Sequence, residues 1–299
     1  MSNEIEGFQK YLLARDKSPK TILGYSADLK QVQKWFGNSL ANLTSEDVRR
    51  YRDYLQMKGA KPNTISRHLA SLVAFGQWGS SYGHLFAENP AMYIEPVKVA
   101  MLAPRWLDKN QKKRLLNAVE EDVRMAHEKY PRLWLIRERD AMIVKLLLAS
   151  GLRVGELCDL RLSDLSLSER KGTLLVRNGK GRKQRVVALG SDIRKELAEW
   201  LKIRPNAMSD YLFIGQKGEP IHPRIVQRLM ERYGELAGLE NVTPHTLRHT
   251  YARGLLDSGA SPFEVAKLMG HSSLDSTSRY VMPSEDDLQN VVERFAQAE

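Results

Sequence analysis

The segment 243–259, TPHTLRHTYARGLLDSG, carries the residues best suited to bind an anion. Thr243 and Pro244 are typical of the cap and the first turn of a helix. His245 and Arg248 are three residues apart, so they share one face of that first turn. An imidazole and a guanidinium beside the positive end of a helix dipole favour a phosphate ligand.

The same helix raises a metal-binding alternative, because His245 and His249 stand four residues apart, a spacing that metal ligands use. The residue after His245 is Thr246, where a zinc protease carries a glutamate. The sequence offers no obvious second cluster of ligands, so we predict no metal and no other cofactor. Loss of activity in EDTA would instead support a metal-dependent nuclease. Two surface histidines on a capped helix are the plain structural alternative.

Two more segments hold residues of the same chemical kind. In SGLRVGELCDL, residues 150–160, Arg153 begins a predicted helix, where a cation is unfavourable unless an anion lies close. Glu156, three residues later, can hold the guanidinium, although a surface arginine is the alternative. Downstream, His271 follows a glycine that ends another predicted helix, and Tyr280 comes nine residues later.

A predicted β-hairpin carries a basic turn, NGKGRK, between strands at 173–177 and 184–189. The basic residues at and beside this turn are Lys180, Arg182, Lys183 and Arg185. Their spacing is not that of a P-loop. Two interpretations are open, a flexible basic tip and a loop that delivers Lys180 to a phosphate.

Taken together, these motifs resemble the tyrosine recombinases, the family that includes the Xer proteins and the phage-type integrases. GLRVGEL at 151–157, HTLRHTYA at 245–252 and LMGHSS with its downstream tyrosine at 268–280 are similar to the three signature boxes of the family, in order. SPKTILGYSADLKQ at 18–31 is similar to the N-terminal core-binding domain. The resemblance covers nearly the whole chain.

The resemblance implies that Tyr280 is the nucleophile that attacks a DNA phosphodiester, and that Arg153 and Arg248 clamp its non-bridging oxygens. Two arginine forks suit this task because each can bond two oxygens at once. A covalent 3′-phosphotyrosyl link would conserve the energy of the broken bond, so rejoining would need neither ATP nor metal. The implied enzyme is a site-specific recombinase that works through a Holliday junction.

The remaining residues of the implied site handle protons or support the clamp. His245 and His271 would hydrogen-bond the phosphate or move the proton of the nucleophile. Lys180 would be the general acid for the leaving 5′-oxygen. Glu156 would support the residues that contact the phosphate.

The implied fold is mainly α-helical with a small antiparallel β-sheet, in two domains. Residues 1–95 would form a helical, SAM-like core-binding domain and 96–106 a linker, because Pro96 and Pro104 flank an extended stretch. Residues 107–299 would form a mixed α/β catalytic domain with a C-terminal interaction helix. Residues 211–214 form a possible third strand.

Composition agrees with a nucleic-acid partner. The chain has 299 residues, a net charge of +10 and a basic excess in both halves. Lys61 and Arg67 lie off the apolar face of a predicted helix, so they join Arg182, Lys183 and Arg185 as candidate DNA contacts. The single cysteine, Cys158, excludes an intramolecular disulfide. With no apolar run long enough for a membrane span, we expect a cytoplasmic, nucleoid-associated protein.

The resemblance also implies the assembly. The partner would be double-stranded DNA with an inverted-repeat core site, bound at two sites by a homo-tetramer, or by a hetero-tetramer with a second recombinase. An apolar stripe near the C-terminus has two interpretations: it packs on its own domain or, as the resemblance implies, it docks into a neighbouring protomer. Its residues are Leu288, Val291, Val292 and Phe295. The short N-terminal region favours an Xer-like layout over the larger phage integrases.

The sequence departs from the family at two places. The charged segment 120–137 is longer than the usual connection, and VMP follows Tyr280 where Xer proteins often have Thr-His. Three competing functions remain. They are a type IB topoisomerase, which shares the tyrosine chemistry, a non-catalytic DNA-binding accessory protein, and the metal-dependent nuclease built on His245 and His249.

Overall fold

The structure is a computed structural model in which the chain forms two compact units, Met1–Leu102 and Ala103–Glu299. The residues that it describes are 3–95, 97, 105–177, 184–205, 208–270 and 293. None of the helices among these residues is long and apolar enough to cross a lipid bilayer. The domain and linker bounds proposed from the sequence remain predictions.

The N-terminal unit is helical, as predicted. Its α-helices are α1 (Asn3–Ala14), α2 (Pro19–Phe36), α3 (Ser45–Met57) and α4 (Pro62–Ser81). Local capping explains where they begin and end. The Ser18 hydroxyl accepts a hydrogen bond from the Thr21 amide at 3.1 Å, and Gly37 ends α2 in the left-handed conformation with φ 73°. Thr44 and Asp47 form a capping box at the start of α3.

The helical stripes read from the sequence form the core of this unit. Tyr51 of α3 and Leu72 and Phe75 of α4 are almost completely buried. Phe8 of α1 meets Phe75 edge to face, with ring centroids 5.6 Å apart. Burial of these large side chains supplies the main driving force for packing the four helices together.

The C-terminal unit is mainly helical and includes a small three-stranded sheet. Its helices are α5 (Lys109–Lys129), α6 (Trp134–Ser150), α7 (Val154–Cys158), α8 (Ser191–Ile203), α9 (Pro223–Leu236), α10 (Pro244–Asp257) and α11 (Pro262–Met269). Helix α6 runs through the middle of the unit, with Ile143, Val144, Leu146 and Leu147 fully buried. It ends at Gly151, whose backbone is left-handed.

The sheet is antiparallel in the order β1 (Leu165–Leu167), β2 (Gly172–Val176) and β3 (Arg185–Ala188). Strands β2 and β3 confirm the predicted hairpin. The third strand predicted at 211–214 is wrong, since Tyr211 and Ile214 form only isolated bridges. Leu212 and Phe213 are buried in the core. A short buried apolar run has the same pattern whether or not it pairs as a strand.

The charged segment 120–137 belongs to the packed body of the unit. Helix α5 extends through this segment to Lys129, and the chain turns at Pro131 before α6. Asp122 on this extension accepts hydrogen bonds from Arg232, at 2.5 Å, and from the Tyr233 hydroxyl, at 3.0 Å, both on α9. The acidic residue thus ties the end of α5 to α9.

Gly151 occupies a position that an alanine should disrupt. Its φ of 59° is left-handed, and a Cβ there would lie 2.4 Å from Cδ1 of Tyr251. We expect Gly151→Ala to lower the free energy of unfolding by about 2 kcal/mol in urea denaturation. The control is Gly254→Ala on α10, where a Cβ would meet nothing within 4 Å. This control should raise stability by about 0.5–1 kcal/mol, and equal losses in both variants would contradict the expectation.

Candidate active site

Arg153 is the N-cap residue of α7, with extended backbone at φ −74° and ψ 151°. Glu156 reaches back from the third helical position and accepts the Arg153 backbone N–H at 2.8 Å. The same carboxylate accepts Nη1 of Arg153 at 2.7 Å. Glu156 therefore both caps the helix and holds the guanidinium, which is the contact that the spacing of three predicted.

A second guanidinium binds the same carboxylate. Nη1 and Nη2 of Arg185 donate to the two oxygens of Glu156, each at 2.7 Å. The side chains of Arg185 and Glu156 are only 13% and 4% exposed. Arg185 is a predicted DNA contact, whereas the structure places its guanidinium on Glu156. The missed signal is strand alternation, because Arg185 is in phase with the buried Val187.

The two arginines determine the ionisation of Glu156. Burial by itself would raise the pKa of this carboxyl. Hydrogen bonds from Arg185 and Arg153, together with the positive charge of Arg185, outweigh burial and lower the pKa from 4.5 to about 2. Glu156 is therefore a fixed negative charge at neutral pH.

Arg248 is buried on α10, with 4% of the residue exposed. Its Nη1 donates to the Gly151 carbonyl, and its Nη2 donates to the Met269 carbonyl at 2.7 Å. These carbonyls lie at the C-terminal ends of α6 and α11, which carry partial negative charge. The cation therefore joins the ends of two helices beside the start of α7.

His245 lies on the exposed side of the first turn of α10. Partial desolvation, and then the positive charges of Arg248 and Arg153, lower its pKa below the usual value. The structure thus brings Arg153, Arg248 and His245 into one electrostatic neighbourhood. A lowered pKa keeps the imidazole neutral at pH 7, so it can accept a proton or a hydrogen bond.

The other predicted catalytic residues lie outside the described part of the chain. They are Lys180, His271 and Tyr280, and the hairpin cations Arg182 and Lys183 lie outside it too. The residue before His271 is described. The Gly270 carbonyl oxygen is 3.4 Å from Nη2 of Arg153. The roles inferred for all these residues remain predictions.

Rival nucleophiles within the described residues are disfavoured by burial. Burial raises the pKa of Tyr251, and burial followed by the charge of Asp122 raises that of Tyr233. The thiol of Cys158 packs in the core, and burial raises its pKa to about 12. All three groups hold their protons firmly at neutral pH, so none is a ready nucleophile.

His245 and His249 are neighbours on α10, with ring centroids 6.4 Å apart. Among the residues that the structure describes, no group of three histidine, cysteine or acidic side chains is arranged to hold a metal ion.

The candidate DNA contacts of the N-terminal unit lie at the start of α4. Lys61 is exposed at the N-cap position. Arg67 is half-exposed and donates to the buried Asp28, which also accepts the Ser71 hydroxyl at 2.7 Å. The guanidinium of Arg67 is therefore anchored on Asp28, with Nη2 also 3.3 Å from Nε2 of His68, while half of the side chain remains exposed.

Two family patterns match the sequence. The pattern described as Phage integrase family matches residues 105–286, which is more than half of the chain. The chain belongs to the phage integrase family. The family's N-terminal SAM-like domain matches residues 5–81, so the family organisation extends to the helical unit.

Relatives and solved structures agree with this membership. The chain is 34% identical to "Tyrosine recombinase XerC" of Corynebacterium glutamicum, over 95% of this chain and 88% of that protein. The fold is similar to that of the XerH site-specific recombinase bound to palindromic difH substrate, with a TM-score of 0.74, 22% identity and coverage of 95% and 82%. It is also similar to that of lambda integrase in a tetramer bound to a Holliday junction, with a TM-score of 0.70, 20% identity and coverage of 93% and 76%.

The lowered pKa of Glu156 predicts how stability depends on pH. Because the folded pKa of about 2 lies below the ordinary 4.5, the stabilisation is complete above about pH 5 and is lost as the pH falls towards 2. We expect wild type to exceed Glu156→Gln by about 3 kcal/mol in free energy of unfolding at pH 7. This difference in free energy of unfolding, measured by urea titration, should shrink steadily as the pH falls from about 5 to about 3.

The matched control is Glu121→Gln. A hydrogen bond from Arg124 lowers the pKa of Glu121 too, but this pair is exposed to solvent. Solvent screening should leave its effect on stability small at every pH. A loss of free energy of unfolding in Glu156→Gln that did not change with pH would contradict the ionic role of Glu156.

Proposed function

We propose that this protein is a site-specific tyrosine recombinase that cleaves and rejoins double-stranded DNA through a 3′-phosphotyrosyl intermediate and a Holliday junction. The observation that carries the proposal is the cation cluster of Arg153, Arg248 and His245, built on the family's own motifs. Arg153 is held by a buried carboxylate and Arg248 by two backbone carbonyls. Membership of the phage integrase family supplies the reaction class.

The reaction is a transesterification at one DNA phosphate. The phenolic oxygen of Tyr280 attacks phosphorus, and the bond from phosphorus to the 5′-oxygen breaks. The phenol gives up its proton, for which His271 and the neutral imidazole of His245 are the candidate acceptors, and Lys180 gives a proton to the leaving 5′-oxygen. Attack by a 5′-hydroxyl of the partner strand then reverses these steps and restores both Tyr280 and the diester.

Positioning and charge stabilisation carry most of the catalysis in phosphoryl transfer. Negative charge on the non-bridging oxygens grows as the tyrosine attacks, and Arg153 and Arg248 would bind it. Donors that are already fixed need no reorganisation during the reaction. The side-chain contacts of the two arginines meet this requirement, since each is held by groups of the protein's own fold.

DNA binding would use the basic surfaces outside the reaction centre. Lys61 and Arg67 of the N-terminal unit, and Arg182 and Lys183 of the hairpin, would contact phosphates of an inverted-repeat core site. Such contacts position the protein without reading sequence. A protein with this substrate would act at the nucleoid, in the cytoplasm.

Covalent trapping tests the chemistry. Wild type, incubated without metal on nicked duplex fragments from the genome that encodes it, should form a protein–DNA adduct that survives SDS and EDTA. Tyr280→Phe should form none while still binding DNA, because the phenolic oxygen is the attacking atom. An adduct that persists in Tyr280→Phe would identify another nucleophile.

Two further outcomes separate the rival enzymes. DNA cleavage that disappears in EDTA would support a metal-dependent nuclease built on His245 and His249. Plasmid relaxation that is independent of any defined site would support topoisomerase chemistry. Tight binding without an adduct on any fragment would support an accessory protein.

We also propose that four subunits act together on two DNA sites, through the C-terminal residues. The support is the apolar stripe at 288–295, which a neighbouring protomer could bury. Deleting residues 285–299 should abolish strand exchange but leave binding to a single site within about twofold of wild type. Gel shifts and a recombination assay on two sites measure these effects, and strand exchange that survives the deletion would contradict the proposal.

A further inference from the structure

Arg185 makes the most specific side-chain contact at the site, and the mechanism described above gives it no role. Its two terminal nitrogens form parallel hydrogen bonds to the two oxygens of Glu156, each at 2.7 Å. This fork-to-carboxylate arrangement fixes both the position and the plane of the carboxylate. A lysine has a single point of donation and could not do so.

The carboxylate that Arg185 holds is the one that orients Arg153. Oε1 of Glu156 accepts Nη1 of both arginines, at 2.7 Å in each case. Oε2 accepts Nη2 of Arg185 at 2.7 Å and the backbone N–H of Arg153 at 2.8 Å. A rotation of the Glu156 carboxylate would therefore move the Arg153 guanidinium and loosen the first turn of α7.

Arg185 also lies against the end of α11. A Cβ on Gly270 would come within 2.7 Å of Cδ of Arg185, and Gly270 has a left-handed φ of 64°. The Gly270 carbonyl oxygen is 3.4 Å from Nη2 of Arg153. Strand β3, the start of α7 and the end of α11 thus meet around these two arginines.

We propose that Arg185 is a positioning residue for Arg153, acting through Glu156, and not a contact to DNA. The inference rests on the proposed function, because it assigns Arg185 a part in the same phosphate clamp. Arg185 is nearly buried, and its Nε is inaccessible and has no hydrogen-bond partner within the described residues. Its Nη1 and Nη2 pair with the full negative charge of Glu156, whereas Arg248 donates to uncharged carbonyls, so the charge of Arg185 is compensated inside the protein.

This arrangement predicts an effect on the chemical step and not on binding. A fixed guanidinium stabilises charge that develops in the transition state, whereas a mobile guanidinium must first be reoriented. Loss of Arg185 should therefore slow cleavage and leave DNA affinity unchanged. This slowing of cleavage should occur only when Arg153 is present, since Arg185 acts only through it.

The test is a double-mutant cycle with Arg185→Met, Arg153→Ala and the double variant. Single-turnover formation of the Tyr280 adduct is measured on the nicked duplex recovered by covalent trapping, and Kd is measured on the same duplex. We expect Arg185→Met to slow cleavage on the order of tenfold or more, with Kd within about twofold of wild type. In the Arg153→Ala background, Arg185→Met should slow cleavage no further.

Two other variants separate positioning from general support of the fold. Arg185→Lys keeps the charge but loses the fork, so it should be slowed nearly as much as Arg185→Met. Arg177→Met is the matched control, because Arg177 follows β2 and donates to the buried Asp164 without touching Glu156. The control should cleave at the wild-type rate, and urea unfolding of all variants shows whether each is folded.

Several results would overturn the inference. A raised Kd with an unchanged cleavage rate would make Arg185 a DNA contact. If Arg185→Met slowed cleavage further in the Arg153→Ala background, Arg185 would act independently of the clamp. If Arg177→Met slowed cleavage equally, the role of Arg185 would be only to support the sheet.

A measurement without DNA keeps the inference separate from the proposed function. NMR exchange of the Arg153 guanidinium protons should be slow in wild type and clearly faster in folded Arg185→Met. Unchanged exchange would overturn the positioning role even if cleavage were slowed. If wild type formed no Tyr280 adduct on any DNA, the proposed function would fail, while this measurement would still decide whether Arg185 orients Arg153.

Discussion

The buried carboxylate of Glu156 is the group on which the site depends. A lone carboxylate removed from water is costly, so it must be met by cations and hydrogen-bond donors with good geometry. Here two guanidiniums and one backbone amide meet it, from β3 and from the start of α7. The two arginines need the carboxylate in turn, because their positive charges would repel each other without it between them.

The same compensation explains how several cations can share a small region of protein. Arg248 donates hydrogen bonds to carbonyls at the ends of α6 and α11, where the negative ends of the helix dipoles partly offset its charge. His245 avoids adding a charge, since partial desolvation and the neighbouring arginines lower its pKa. The helices of the C-terminal unit therefore serve as electrostatic partners as well as packing surfaces. A DNA phosphate would enter a neighbourhood that is already arranged for negative charge.

Anchoring of charge by burial recurs elsewhere in the chain. In the N-terminal unit the buried Asp28 holds one side of Arg67. At the end of α5, Asp122 holds Arg232 and Tyr233 of α9, which gives the charged segment 120–137 a structural place. In each case a carboxylate with limited access to solvent limits the freedom of a long side chain. Such ordering lowers the entropy that a side chain must lose when it binds a ligand.

The family, the helical and hairpin elements, and the pairing of Arg153 with Glu156 are predictable from the sequence, because they depend on local spacing, capping and order along the chain. Tertiary packing, in contrast, places Arg185 on the carboxylate of Glu156, 29 residues away, and Arg248 on carbonyls 97 and 21 residues away. It also decided that the third strand is Leu165–Leu167. Contacts between distant residues depend on packing, and a pattern with a period of two or 3.6 residues carries no information on which distant groups will meet.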